Sequence, residues 1–421
     1  MQARTLSALE RTRNRFSEAS ARAKLALLAR LDRARMRGAR EVARLHEALC
    51  FIRAYPDDAR VLGRVERMLA RFARRRDLRA HRDALENSGI AGTAIRYPFF
   101  WPTALWLARQ WPRQLALDRL DGAADRAIGR LFGVRSGFAA LDRIRPRPLS
   151  DAVHFIGLVE RMPGDSFAKE VFYDAIEPVL ELRPGRGTPT RTLAAHPVRR
   201  VAWQRDPLDR PRPEMRAEIA RAPRRVRSVS TREGVRLIDL ARAAMVTRSR
   251  DMDAFAYGDP RAVRIVEDGE GLAFALNGIV AERQPAARAS HGAMALKNGV
   301  PVGYMDLNVA GRHVEIAFNL FPTFRAGEAA HVFARTLAML RRIFRAETFG
   351  VDSYQLGRDN REAIESGAWW FYYKLGFRPR AAAAKRLARR ELDRWRADRS
   401  YRSSAAILET LAGWPLRYRI G

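Results

Sequence analysis

Two groups of side chains in the C-terminal half of the chain carry the residue types of acid–base chemistry. The stretch HVEIAFN at residues 313–319 places the imidazole of His313 and the carboxylate of Glu315 on one face of a strand, because alternate side chains of a strand share a face. The second group is SGAWWFYYKLGFRP at residues 366–379, a run too dense in aromatic residues for an ordinary amphipathic helix. Imidazole, carboxylate and phenol groups are common proton carriers in enzymes.

Other kinds of site are not indicated by the sequence. The seven His residues are scattered, and none stands at metal-ligand spacing from a Cys or another His, so we expect no metal site. The sequence contains no phosphate-binding P-loop and no Gly-x-Ser-x-Gly nucleophile motif. Cys50 is the only cysteine, which excludes an intramolecular disulfide and makes the cytoplasm the expected compartment.

The net charge indicates the class of partner. The chain has 78 basic and 47 acidic residues, a formal net charge of +31. Such a charge favours polyanions, which include nucleic acid, phosphorylated cofactors and an anionic membrane surface. The Pro- and Arg-rich segment 183–227 is either a nucleic-acid-binding arm or a solvated linker. The apolar stretch YPFFWPTALWLA at 97–108 is shorter than the roughly 18 residues that cross a bilayer, so we expect no transmembrane segment and favour a buried helix contact.

The spacing of apolar residues predicts a mainly α-helical N-terminal region over residues 1–143. Apolar residues recur at three- and four-residue steps from Val42 to Ile52, and the pattern returns from Val61 to Phe72. A YPDD turn between the two runs supplies a Pro and acidic N-cap candidates. A mixed segment and the Pro/Arg-rich linker are expected over 144–227.

From residue 228 onward the pattern becomes α+β. Asn298 and Gly299 both tolerate the positive φ of a tight hairpin, and they stand between short β-like runs. A three-stranded antiparallel meander, a helix, a strand near 351–356 and the aromatic segment then follow one another. This order predicts an α+β domain over 228–380, followed by a basic helical tail over 381–421.

The order of these elements, together with YYKLGFRP, resembles the GNAT superfamily of acyl-CoA N-acyltransferases over about residues 231–380. The late helix of that family commonly ends in a Tyr followed, after two or three residues, by Leu-Gly-Phe. The matching positions here are Tyr372, Leu375, Gly376 and Phe377. The resemblance implies a mixed sheet with flanking helices, acetyl-CoA or another acyl-CoA as co-substrate and an unidentified amine as acceptor. Asn360 is farther from Tyr372 than is usual, so SGAWW is expected to be an insertion or a bulged lead-in.

The family's cofactor loop lies between its fourth strand and the next helix, and the matching stretch is FRAGEA at 324–329. Backbone N–H groups at a helix N-terminus attract a pyrophosphate, and the charge of Arg325 would strengthen that contact. Phe324 departs from the family's Gln or Arg, and the alternative is an ordinary helix start. The cofactor contacts that the resemblance implies are Ala317, Phe318, Asn319, Arg325, Ala326, Gly327, Glu328, Ala329 and Asn360.

The resemblance also implies catalytic roles. An amine attacks a thioester only when neutral, so a base must accept its proton and an acid should protonate the departing thiolate. Glu315 matches the family's strand base and Tyr372 its helix acid, with His313 as the alternative base. The pantetheine arm would lie along residues 317–319 as an added strand. The alternative interpretation is an inactive GNAT-like module that binds nucleic acid or another polyanion through its basic surface.

Overall fold

A computed structural model of the chain describes residues 2–208, 211–325 and 328–420. The chain forms two compact units. The first comprises Met1–Arg199, Trp203–Arg205 and Val235–Tyr257, and the second comprises Arg200–Ala202, Asp206–Gly234 and Gly258–Gly421. The first unit is mainly helical, and the second is built on a large mixed sheet with flanking helices. The predicted α+β class is confirmed.

The helices are, in chain order, α1 (Gln2–Thr12), α2 (Glu18–Arg33), α3 (Ala39–Ala54), α4 (Ala59–Ala70), α5 (Arg76–Ala80), α6 (Trp101–Gln110), α7 (Gly122–Leu131), α8 (Gly137–Ile144), α9 (Asp151–Arg161), α10 (Ser166–Ile176), α11 (Met215–Ala220), α12 (Thr231–Val246), α13 (Asp253–Ala256), α14 (Ala329–Phe344), α15 (Ser353–Leu356), α16 (Arg361–Ser366), α17 (Ala368–Lys374), α18 (Ala382–Ala397) and α19 (Ala405–Ala412). Within the described ranges, no helix combines the length and the apolar character needed to span a bilayer.

The strands are β1 (Ile95–Tyr97), β2 (Leu115–Leu117), β3 (Leu180–Leu182), β4 (Arg225–Ser228), β5 (Gly258–Gly269), β6 (Leu272–Ile279), β7 (Ala289–Lys297), β8 (Val300–Ala310), β9 (His313–Leu320), β10 (Thr348–Val351), β11 (Arg378–Pro379) and β12 (Leu416–Arg419). The three-stranded sheet of the first unit has the order β1-β3-β2. The sheet of the second unit has the order β11-β12-β10-β9-β8-β7-β6-β5-β4.

The helices of the first unit follow the apolar spacing. Val42 and Ile52 on α3 and Val61 on α4 are fully buried, as their three- and four-residue steps predict. The YPDD turn separates the two helices, and the carboxylate of Asp58 accepts a hydrogen bond of 2.8 Å from the backbone N–H of Val61. That bond satisfies one of the donors that a helix N-terminus leaves without an intrahelical partner.

The aromatic stretch at 97–108 belongs to the core of the first unit. Trp101 and Trp106 on α6 are buried, and both join an apolar cluster that also contains Phe155, Tyr173 and the sheet residue Leu180. The favoured interpretation of this stretch as a buried helix contact is therefore confirmed.

The early part of the Pro- and Arg-rich segment packs within the first unit. Arg191 forms an ion pair with Glu47 at 2.7 Å, and Thr192 is buried with its hydroxyl 2.9 Å from the ring of His46. A later part of the segment forms α11 and β4 of the second unit. The stretch predicted as an arm or linker therefore contains packed structure.

The large sheet is antiparallel except at one place. The predicted meander is present as β7, β8 and β9, and residues Asn298 and Gly299 at its first turn have φ values of 48° and 78°. Glycine accepts a positive φ without steric cost and asparagine tolerates it, which is why this dipeptide forms a tight hairpin. Among the described strands, β9 and β10 form the one parallel pair.

Two sequence predictions need correction. The strand expected at 351–356 lies earlier, at β10, because the carboxylate of Asp352 accepts a hydrogen bond of 2.8 Å from the N–H of Gln355 and begins α15 there. The tail over 381–421 is helical in α18 and α19, but it ends in β12, which pairs with both β10 and β11. Four residues carry too little periodicity to predict a strand that pairs with distant partners.

Candidate functional site

The parallel ladder between β9 and β10 is short and ends beside Glu315. It pairs His313 with Thr348 and Glu315 with Gly350. Strand β9 continues to Leu320 and keeps its pairing with β8 over its whole length. The pairing with β10 therefore stops in the middle of β9, next to Glu315.

Gly350 makes room on the Glu315 face of the sheet. A Cβ atom built on Gly350 would lie 3.1 Å from the ring of His313 and 3.2 Å from Cγ of Glu315. Glycine therefore lets these two side chains approach the β10 backbone. The Glu315 carboxylate is accessible: 42% of its side chain is exposed, and its nearest cation is Arg288 at 3.8 Å.

The imidazole of His313 is held beside the same ladder. Its Nδ1 atom lies 2.9 Å from the hydroxyl of Thr348. Burial, and after it the charge of Arg417, lower the pKa of His313 from its ordinary value. A neutral imidazole at pH 7 is able to accept a proton, so His313 retains the chemical capacity of a base.

The opposite face of β9 carries an aromatic core. The ring of Phe318 lies 5.1 Å from Phe333 on α14 and 6.5 Å from Phe371 on α17. Tyr372 packs against Phe333 at 5.3 Å, and Trp369 is fully buried. The dense aromatic run thus fastens α17 to α14 and to β9.

Tyr372 lies inside this aromatic core. Its side chain is 3% exposed, and burial raises its pKa above the ordinary value. The phenol therefore holds its proton more tightly than an exposed tyrosine does, which makes it a weaker proton donor. Tyr372 contacts the Phe333 side of the sheet while Glu315 points to the other side, so the two predicted catalytic groups do not share a face.

The predicted cofactor loop follows β9. The guanidinium of Arg325 contacts Glu362 at 2.7 Å, the carbonyl of Leu320 at 2.9 Å and the amide oxygen of Asn319 at 3.3 Å. Two residues of the predicted loop, Ala326 and Gly327, lie outside the described residues. Arg325 is thus held at the end of β9, where it contacts one predicted cofactor residue, Asn319; Ala317 and Phe318 lie earlier on the same strand.

Glu328 forms a buried ion pair at the start of α14. Its carboxylate lies 3.4 Å from Nζ of Lys297, and the side chains are 2% and 3% exposed. Its carbonyl accepts a hydrogen bond of 2.8 Å from Val332, and α14 begins at Ala329. The Lys297 charge offsets the repulsion that Glu328 would exert on an anion near this helix N-terminus.

Asn360 caps α16. Its side-chain oxygen accepts a hydrogen bond of 3.1 Å from Ala363, and its amide donates to the carbonyl of Tyr354 at 3.1 Å. Gly367, whose φ is 67°, then ends α16 and separates it from α17. Residues 361–374 thus form two short helices with a bend at Gly367.

The partners of Arg325 and Glu328 were not evident from the sequence. Lys297 is 31 residues from Glu328, and Glu362 is 37 residues from Arg325. No local pattern links residues so far apart. A signal for Gly350 did exist, because a glycine inside a strand pattern often marks a close approach of two groups.

Across residues 2–208, 211–325 and 328–420, no group of three or more His, Cys, Asp or Glu side chains is arranged to hold a metal ion. Comparison of the chain with protein-family models, curated proteins and solved structures finds no match.

Proposed function

We propose that this chain is an acyl-CoA-dependent N-acyltransferase with a GNAT-like domain over residues 228–380. The observation that carries the proposal is the parallel pair β9/β10, whose ladder ends at Glu315 and Gly350 while β9 continues to Leu320. The backbone beyond this point presents an edge to which an extended, amide-containing arm can add hydrogen bonds in the manner of an extra strand. Coenzyme A carries such an arm in its pantetheine portion.

In the proposed reaction, the amine nitrogen attacks the thioester carbonyl carbon, a nitrogen–carbon bond forms and the carbon–sulfur bond breaks. Glu315 takes the proton that the amine loses, directly or through a water molecule, and Tyr372 gives a proton to the departing thiolate. Glu315 and Tyr372 belong to opposite faces of the sheet, so the proposal requires the thioester to lie between them. His313 is the alternative base.

The charges near the start of α14 support binding of a pyrophosphate. Lys297 neutralises Glu328, so the helix N-terminus retains its attraction for an anion. Arg325 is 39% exposed in its side chain and would exchange Glu362 for a phosphate oxygen. Arg325 contacts the end of β9, as a ligand that extends from the end of the β9/β10 ladder to the start of α14 requires.

Ligand stabilisation tests this function directly. A ligand at one hundred times its Kd adds about 2.7 kcal/mol to stability, so acetyl-CoA and coenzyme A should each raise the melting temperature measurably. Tyr372→Phe should lower the turnover number about a hundredfold or more and leave this stabilisation unchanged. Tyr354→Phe, at a tyrosine that is 57% exposed, is the matched control and should alter neither quantity.

A second candidate function is a non-catalytic module that binds a polyanion. It is favoured by the ion pair between Arg325 and Glu362 and by the burial of Tyr372, because both predicted site residues already have partners within the protein. Absence of stabilisation by either acyl-CoA or coenzyme A, together with salt-sensitive binding of nucleic acid, would replace the acyltransferase proposal with this one.

A further inference from the structure

A basic groove of about 770 Å³ lies at the β11-β12-β10 edge of the large sheet. One side of it is lined by α18, where Lys385, Arg389, Leu392 and Arg396 recur at helical spacing and so occupy one face of the helix. The described residues that line the groove include seven Lys and Arg side chains and no Asp or Glu. The groove therefore has one sign of charge.

The sheet supplies the other side of the groove. Residues Thr348 on β10 and Arg419 on β12 are register partners, and Arg417 on β12 lies two residues before Arg419 on the same face. His313 and Arg378 also line the groove. Cations thus approach one shared space from the helix and from the sheet.

Little of this charge is balanced within the protein. Arg396 pairs with Asp393 at 2.9 Å. For Lys385, Arg389, Arg417 and Arg419, no carboxylate of the described residues lies within ion-pair distance. Cations that face a common cavity repel one another, and a bound multivalent anion would offset that repulsion by its attraction to each of them.

The lining favours a ligand that is recognised by its phosphates. Grooves for single-stranded nucleic acid combine cations with aromatic surfaces on which bases stack. Two tyrosines line the groove. Tyr373 is stacked on Trp369 at 4.9 Å and lies 4.0 Å from the guanidinium of Arg378, and Tyr418 packs against Phe377 at 5.5 Å. Both rings are therefore already engaged by protein groups. The volume suits a small ligand, for which pockets of about 300–1,000 Å³ are typical.

We infer that this groove binds a small ligand that carries several linked phosphates, either an inorganic polyphosphate chain or the phosphate chain of a nucleotide. The face of α18 from Lys385 to Arg396 extends about 16 Å, which allows contacts with more than one phosphate. Arg417 and Arg419 would contact the same chain from the sheet. The groove includes His313 and Thr348 of the β9/β10 ladder, and binding of its proposed ligand does not depend on acyl transfer.

The test measures binding of tripolyphosphate and of a nucleoside triphosphate by calorimetry, with the full-length chain. The groove variant is Lys385→Ala with Arg389→Ala. The matched control is Arg386→Ala with Arg390→Ala, which removes the same charge from exposed positions of the same helix that do not line the groove. Alanine is the strongest helix former, so both variants should fold.

We expect the wild type and the control variant to bind tripolyphosphate equally well and the groove variant to bind it about tenfold or more weakly. Arg417→Gln, on the sheet side, should weaken binding as well. Tighter binding of the nucleoside triphosphate than of tripolyphosphate would identify a nucleotide as the source of the phosphates, and equal binding would identify the inorganic chain.

Three results would overturn the inference. The first is no binding of either ligand by the wild type at millimolar concentration. The second is an equal loss of tripolyphosphate affinity in the groove and control variants, which would indicate attraction by the overall positive charge of the helix and not by the groove. The third is a single-stranded oligonucleotide that binds far more tightly than tripolyphosphate and loses affinity only in the groove variant. The increase in melting temperature caused by coenzyme A should be the same in the wild type and in both variants. If only the groove variant loses this increase, the groove is the binding site of coenzyme A.

Discussion

Replacing Arg335 by Met should lower the free energy of unfolding of the second unit by about 3–5 kcal/mol, because it breaks a buried ion pair and leaves the carboxylate of Asp268 buried without its cation. Arg335 on α14 is fully buried, and its guanidinium donates two hydrogen bonds of 2.7 and 2.6 Å to the carboxylate of Asp268. It also donates to the carbonyl of Arg221 at 2.8 Å and to the carbonyl of Glu218. Met keeps most of the apolar stem, so the loss is mainly electrostatic.

A second substitution distinguishes the effect of the unpaired Asp268 carboxylate from the effect of the lost hydrogen bonds to backbone carbonyls. Asp268 is 3% exposed, and Asp268→Leu in the Arg335→Met background removes the carboxylate that would otherwise stay buried without its partner. The double variant should be less stable than the wild type by only about 1–3 kcal/mol, because the carbonyls of Glu218 and Arg221 still lose a hydrogen-bond donor. The order of stability is therefore wild type, double variant, single variant.

Hydrogen exchange on the full chain, followed by mass spectrometry, measures this order in peptides from α14 and α11. A single melting temperature would not suffice, since two compact units need not unfold together. Arg341→Met, at an exposed position of the same helix, is the control and should leave protection unchanged. A double variant less protected than Arg335→Met, or a single variant within about 0.5 kcal/mol of the control, would refute the argument.

Three further substitutions test other features. Burial raises the pKa of Asp251 to about 6, as it does for Asp174. Between about pH 4 and pH 6 the folded state therefore binds more protons than the unfolded state, and stability should fall as pH rises through that window. Asp251→Asn should reduce the slope of melting temperature against pH there, and an unchanged slope would contradict the raised pKa of Asp251. Gly376→Ala should cost about 1–2 kcal/mol in urea unfolding, because φ is +95° and the new Cβ would lie 3.1 Å from Tyr418. Asn360→Ala should cost about 1 kcal/mol through loss of the α16 cap, measured by hydrogen exchange in residues 361–366, and no change there would exclude the capping role.

Part of the candidate site was predictable because its signals are local. Alternation along 313–319 assigned His313 and Glu315 to one face, and the structure agrees. The Leu-Gly-Phe motif also places a glycine just after α17, where the φ of Gly376 is +95°. The end of the β9/β10 ladder at Glu315 and Gly350 was not predictable from local signals, because the point where a ladder ends depends on the partner strand.

The basic groove was not predictable as a site. The sequence indicated a basic tail and a large positive charge, but the cations of α18 meet Arg417 and Arg419 only because β12 inserts between β10 and β11. The same holds for Arg335 and Asp268, which are 67 residues apart. Such pairs come together only when distant elements pack.

Local patterns were enough to predict helices α3 and α4, the hairpin at Asn298 and Gly299, and the alternating faces of β9. Each of these depends on side-chain spacing or on the backbone preference of one or two residues, and both act over less than a dozen positions. Three features depend instead on distant parts of the chain: the strands beside β10, the carboxylate that holds Arg325 and the cations that share the groove. The physical reason is that non-local contacts are selected by the burial of the whole sheet, and no short segment carries that information.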